Sequence, residues 1–145
     1  MKQKFIDYYM SVAELTSKLS YARRLQVGAV IVKGNKILGT GYNGMPSGWD
    51  NNCEDEIKWP NGEIRFLTTK LEVLHAETNA IAKVSGSTES SQGSTLFCTH
   101  APCIDCAKLI YQSGVNSIYY RNQYRDDSGV QFLKKSGVNV TQYET

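Results

Sequence analysis

The succession of apolar periodicities along the chain predicts an α/β fold: a three-layer α/β/α domain around a five-stranded mixed sheet. Three observations carry this reading. Helix-period and strand-period segments follow one another in the order α-β-β-α-β-α-β-α-β. The first two strands are separated only by a tight turn, which makes them antiparallel. The later strands are separated by helical segments, which implies parallel strands joined by crossovers. With 145 residues, 41% hydrophobic and 21% charged, the chain suits one globular domain over residues 1–145 rather than a disordered segment.

Residues 2–19 place Phe5, Tyr9, Val12 and Leu19 on roughly one helical face, with Ile6, Ala13 and Leu15 beside it, the pattern of an amphipathic helix. Residues 26–32 are rich in β-branched side chains, Gly34-Asn35 supplies a turn, and 36–42 continue as a second strand. Residues 43–66 contain Gly44, Pro46, Gly48, Pro60 and Gly62 without clear periodicity. A connection this long is expected to be functional or mobile. Residues 75–84 read as a helix, 86–94 as an exposed Gly/Ser/Thr loop and 95–99 as a strand. Residues 103–112 form a helix stopped at Ser113-Gly114, and 116–120 a strand. Residues 128–135 form a helix ending at Gly137, and 138–143 the last strand.

Composition excludes several function classes. Sixteen Lys and Arg against fourteen Asp and Glu leave a net charge of +2. No basic run exceeds the pairs Arg23-Arg24 and Lys134-Lys135. Polynucleotide binding draws on phosphate neutralisation by a basic surface, so no polynucleotide partner is expected. A small anionic ligand needs only one or two cations. Mean hydropathy is -0.38, and the longest apolar stretch, residues 27–32, is far short of the ~20 residues of a membrane span. The N-terminal residues lack the apolar core of a signal peptide. A cytoplasmic location without a membrane partner is the expectation.

The four cysteines are Cys53, Cys98, Cys103 and Cys106, and the two histidines His75 and His100. In a reducing compartment, Cys103-Ile104-Asp105-Cys106 reads as a metal or redox pair rather than as half of a disulfide framework. Two segments, His75-Ala76-Glu77 and Pro102-Cys103-Ile104-Asp105-Cys106, each open a predicted helix. Cysteines three apart on a helix share a face, and the helix N-terminus favours thiolates. With His75 they make a Cys₂His set, and three protein ligands leave a fourth tetrahedral position for water, the arrangement of a catalytic zinc. Zinc brings the pKa of bound water to about 7, and Glu77, two residues from a ligand, is placed to shuttle protons. Water in and ammonia out is hydrolytic deamination.

The combination H-x-E…P-C-x-x-C is the signature of zinc nucleobase deaminases. H-x-E alone is weak; both halves at helix starts, 26 residues apart from Glu77 to Cys103, are specific. Two other readings remain open at this level. Cys103 and Cys106 suit a thioredoxin-like redox pair, and Cys98, His100, Cys103 and Cys106 could close a structural zinc site in an interaction module without turnover. Cys98 is otherwise expected to pack as a small hydrophobe, His100 to line the following loop, and Cys53 to be an unpaired loop thiol.

His75-Ala76-Glu77-Thr78-Asn79-Ala80-Ile81, residues 41–48 (Gly-Tyr-Asn-Gly-Met-Pro-Ser-Gly) and Pro102-Cys103-Ile104-Asp105-Cys106-Ala107-Lys108 together resemble the deoxycytidylate (dCMP) deaminases, over about residues 5–140. The resemblance implies a cytidine-deaminase-like fold and conversion of dCMP to dUMP for thymidylate synthesis. Carried over residue by residue, it implies zinc on His75, Cys103 and Cys106, with Glu77 as the proton shuttle. It puts Asn43 at the deoxyribose, Tyr124 over the pyrimidine and the Ala76 backbone at the cytosine edge. Arg24 and Arg125 are the phosphate candidates. It further implies a homo-hexamer, activated by dCTP and inhibited by dTTP with Mg²⁺, through the loop carrying Gly44, Ser47, Gly48 and Asp50. Some members hold a second zinc through extra His and Cys residues. Residues 65–70 here (Arg-Phe-Leu-Thr-Thr-Lys) contain neither, so a single zinc is expected.

Overall fold

A computed structural model describes residues 1–145. Its elements in chain order are α1 (Gln3–Ser17), β1 (Gly28–Lys33), β2 (Lys36–Tyr42), β3 (Glu54–Lys58), β4 (Ile64–Thr69), α2 (Ala76–Ser85), β5 (Thr95–His100), α3 (Ile104–Gln112), β6 (Ser117–Asn122), α4 (Ser128–Lys135) and β7 (Asn139–Gln142). The main sheet has the order β2-β1-β5-β6-β7. β1 pairs antiparallel with both β2 and β5, whereas β5, β6 and β7 run parallel. The mixed five-stranded sheet expected from the pattern is therefore present.

β1 shows why the sheet is covered on both sides. Its residues alternate between two cores. Ala29 and Ile31 join Leu96, Cys98 and Ile118 under α2, α3 and α4. Val30 and Val32 join Phe97 under Ile6, Tyr9, Met10 and Ala13 of α1. A strand buried on both faces has no polar alternation, hence the continuous β-branched run. Phe97 stacks on Tyr119 with ring centroids 4.9 Å apart and tilts against Tyr9 at 5.5 Å.

Two expectations are corrected. The buried face of α1 is Ile6, Tyr9, Met10, Ala13 and Thr16, while Leu15 and Leu19 are 66% and 61% exposed. The face is turned toward Met10 and Ala13, which points Leu15 away from the sheet, and the helix stops at Ser17, which leaves Leu19 beyond its end. The second correction concerns residues 43–66, which are not irregular throughout. β3 and β4 form an antiparallel hairpin around Asn61, whose Oδ1 accepts the Glu63 N–H at 3.0 Å, and Gly62 at φ 91°. Glu54, Asp55, Glu56 and Lys58 are poor strand formers by composition. Their pairing comes from the turn and from anchoring at the base of the hairpin, where Cys53 and Glu54 are buried. Cys53 is an unpaired loop thiol, as expected, and a buried one.

α2 lies close against β2. A side chain at Gly41 would meet the Ala76 carbonyl oxygen and the Ala80 amide nitrogen, both helix backbone. Asn79 Nδ2 donates to the Tyr42 carbonyl at 2.8 Å, fixing the helix at the end of the strand. Gly41→Ala is expected to lose about 2 kcal/mol or more through overpacking against backbone that cannot yield. Gly86→Ala, whose added carbon would touch only carbonyl oxygens at 3.6 and 3.8 Å, is expected within about 0.5 kcal/mol of the parent. Urea unfolding of the two variants checks this.

Candidate active site

His75 and Cys103 occupy the N-cap positions of α2 and α3, both with extended backbone and neither with a side-chain cap bond. Ser, Thr, Asp or Asn would serve better there; the first turns instead carry an acidic residue each, Glu77 in α2 and Asp105 in α3, at the positive ends of the dipoles. α3 begins at Ile104, so Pro102 precedes the cap rather than sitting in the first turn. Cys106 follows three residues after the cap, on the first turn.

The two helix starts bring three donors together. His75 Nδ1 lies 3.2 Å from Cys106 Sγ and 3.6 Å from Cys103 Sγ, and all three atoms fall within 4.8 Å of one another. The hydrogen bond from the Cys106 thiol, with a further one from His75, draws the Cys103 thiol down to about 4. Cys106 moves upward, because its proton is held by Cys103 and its surroundings are buried. His75 is raised chiefly by Cys103. The arrangement is a half-buried sulfur facing an exposed imidazole, with a buried sulfur behind.

This set fits zinc. One imidazole and two sulfurs are borderline-soft donors, and a tetrahedron with bonds of about 2.0–2.3 Å separates neighbouring ligand atoms by roughly 3.3–3.8 Å, close to the 3.2 and 3.6 Å between Nδ1 and the sulfurs here. Glu77 is 4% exposed; burial holds its carboxyl above the ordinary range. The competing four-ligand constellation does not form. Cys98 Sγ is buried against the Tyr119 carbonyl at 3.8 Å, and burial pushes its thiol well up. His100 Nδ1 lies 2.9 Å from Thr99 Oγ1. Neither belongs to the ligand group, and the cysteine pair shares its space with His75, which a redox pair does not need.

The cluster opens into a cavity of about 670 Å³, within the usual range for small-molecule sites. His75, Ala76, Glu77 and Cys103 line it together with Arg24, Asn43, Tyr124 and Arg125. All the residues expected at a substrate thus surround one space. Asn43 is more than a wall: its Oδ1 accepts the Val27 N–H and its Nδ2 donates to the Leu25 carbonyl, both at 2.8 Å. Tyr124 and Arg125 sit at the exposed rim. Gly44, Ser47 and Gly48 do not reach this cavity. They line a second one of about 600 Å³ with Tyr21, Asn51 and Lys83. Asp50 lies outside that lining, its Oδ1 accepting the Asn52 N–H at 2.8 Å.

Sequence reading missed Glu54 and Thr69, which also line the first cavity. They come from the hairpin that charged composition concealed; the Asn61-Gly62 turn signal was the one available cue.

Fold and ligand geometry together define a zinc-type deaminase domain, and the comparisons agree. Residues 3–122 match the family model described as the cytidine and deoxycytidylate deaminase zinc-binding region, and the chain belongs to that family. It is 34% identical to the deoxycytidylate deaminase of Saccharomyces cerevisiae over 99% of this chain and 46% of that one. With the human deoxycytidylate deaminase it shares 38% identity over 84% of this chain and 67% of the relative. The chain thus spans about half the length of the fungal relatives it matches. The crystal structure of a dCMP deaminase from the cyanophage S-TIM5 in complex with dCMP and dUMP superposes with a TM-score of 0.87, at 45% identity over 99% of both chains.

Metal content separates the ligand set from its neighbours. His75→Ala and Cys106→Ala are expected to lose the bound zinc, while Cys98→Ala retains about one ion per chain. Atomic emission on the purified variants decides it. Zinc kept by His75→Ala and lost by Cys98→Ala would contradict the assignment.

Proposed function

We propose that residues 1–145 form a single dCMP deaminase domain, catalysing hydrolysis of dCMP to dUMP and ammonia and supplying dUMP for thymidylate synthesis. The observation that carries this is His75 Nδ1 facing both sulfurs at one end of a nucleotide-sized cavity, with the buried Glu77 beside them. The kinship with an enzyme whose structure contains dCMP and dUMP supports the choice of substrate.

His75, Cys103 and Cys106 hold zinc in this reading, and the ion supplies a water that ionises near neutral pH. Glu77 would take one proton of the attacking water on its carboxylate and deliver it to ring nitrogen N3; it would then take the second proton from the hydroxyl added at C4 and pass it to the amino group, which leaves as ammonia while the C4 carbonyl forms. Burial favours the protonated carboxyl, which makes Glu77 a competent donor in the second half of the reaction. The backbone at Ala76 meets the cytosine edge, Asn43 the deoxyribose and Tyr124 the face of the base. Arg24 and Arg125 bring positive charge to the phosphate.

The finer features are proposed on the resemblance. The second cavity, with Gly44, Ser47 and Gly48 in its wall and Lys83 as its cation, is the candidate site for dCTP and dTTP. Asp50 has one carboxylate oxygen outside the local turn for Mg²⁺. The assembly is a homo-hexamer and the location cytoplasmic. No helix is long and apolar enough to cross a membrane.

A panel of cytidine, deoxycytidine, CMP, dCMP and dCTP, each with and without added dCTP and dTTP, tests the reading; dCMP is expected to be turned over best. Glu77→Ala should keep its fold and zinc yet lose about 10²–10⁴-fold in kcat. Full activity in that variant would refute the proton-shuttle role.

A further inference from the structure

The Arg23-Arg24 pair rests on a carboxylate that the reaction does not use. Glu54 is 1% exposed; it opens β3 and stands opposite Thr69 at the end of β4. Its Oε2 accepts the backbone N–H groups of both Arg23, at 2.9 Å, and Arg24, at 3.1 Å. Its Oε1 meets Arg23 Nε at 3.4 Å. Three N–H donors therefore surround this buried carboxylate, two of them main-chain. Bonds to an ionised acceptor are the strong ones, so the 23–24 backbone is tied to the base of the hairpin.

The two arginines meet different fates. The Arg23 guanidinium is also engaged by Glu56 and by Asn52, each at 3.2 Å. Arg24 has one side-chain partner, the neutral hydroxyl of Thr69, to which Nη1 donates at 3.0 Å, and it forms no ion pair. Arg24, Glu54 and Thr69 all line the cavity that contains His75 and Glu77. The hairpin base thus absorbs one cation and aims the other. A carboxylate this close to an anion subsite would oppose an anion if its own charge were unmet; here it is met by the N–H donors.

We infer that Glu54 is the positioning residue of a phosphate subsite: it fixes the Arg23-Arg24 backbone so that Arg24, steadied by Thr69, presents an unpaired guanidinium to the phosphate of the nucleotide. The β3–β4 hairpin then serves as the element that selects phosphorylated over unphosphorylated substrate. This rests on the nucleotide reading of the cavity.

The test compares kcat and KM for dCMP and deoxycytidine in the parent, Glu54→Gln, Thr69→Val, Arg24→Ala and the Glu54→Gln/Arg24→Ala double variant. Glu54→Gln is expected to lower the ratio of dCMP to deoxycytidine kcat/KM by about tenfold, mainly through the KM for dCMP. Thr69→Val, an exposed change that leaves the buried carboxylate alone, should lower the same ratio by less. In the Arg24→Ala background Glu54→Gln should cause no further fall in the ratio, because its effect passes through Arg24. Equal losses for both substrates, a ratio unchanged in Glu54→Gln and Thr69→Val, or losses that multiply in the double variant would overturn this role while leaving the parent reading intact. A parent enzyme that turns over deoxycytidine in preference to dCMP would overturn both.

Discussion

The contact of one imidazole nitrogen with two sulfurs, at the meeting point of two helix N-termini, is the constraint on which the site is built. It requires the first residues of α2 and α3 to stay within a few ångströms although they lie 28 residues apart in sequence. The sheet supplies that rigidity. α2 is held at the end of β2 by the Asn79 amide and by close approach over Gly41. The segment entering α3 is held to β6: the Ala101 N–H donates to the Asn122 carbonyl at 2.9 Å, and Asn122 Nδ2 donates to the Thr99 carbonyl at 2.8 Å. Both helices begin without a side-chain cap, at a cost of about 1 kcal/mol each. A local rule broken twice at the same place marks a functional position rather than a packing one.

Around that contact the charges are divided by depth. Cys103, toward solvent, is drawn down by hydrogen bonds from Cys106 and His75, whereas Cys106 is pushed up by Cys103 and by burial, and Glu77 by burial. The same division recurs at the other end of the cavity, where Arg23 is consumed by carboxylates and Arg24 is left without one. Adjacent residues of identical chemistry are thus separated by partners from β3, β4 and the residues just before them.

The second cavity shares a wall segment with the first, since Asn43 lines one and Gly44 the other. Gly44 is bridged to Leu74 through both of its backbone groups, at 3.1 and 2.8 Å, immediately before His75. A ligand that shifts this bridge would act on the residue next to a proposed metal ligand, a short physical route between the two spaces.

Legibility in the sequence followed the range of the interactions involved. The Cys₂His grouping and the succession of the helices and main-sheet strands were readable because local spacing and periodicity specify them: three residues along a helix share a face, and a β-branched run must be buried on both sides. Which face of α1 packs was not readable, because Leu15 and Leu19 are as apolar as Met10 and only the sheet decides who is covered. The β3–β4 hairpin was missed because its strands are charged, and their pairing depends on a buried carboxylate with partners some 30 residues away. By itself the sequence determined which donor residues stand at the two helix starts, since that is encoded in neighbouring residues. Which of two consecutive arginines remains free was settled only by the tertiary structure, since that choice belongs to groups distant along the chain.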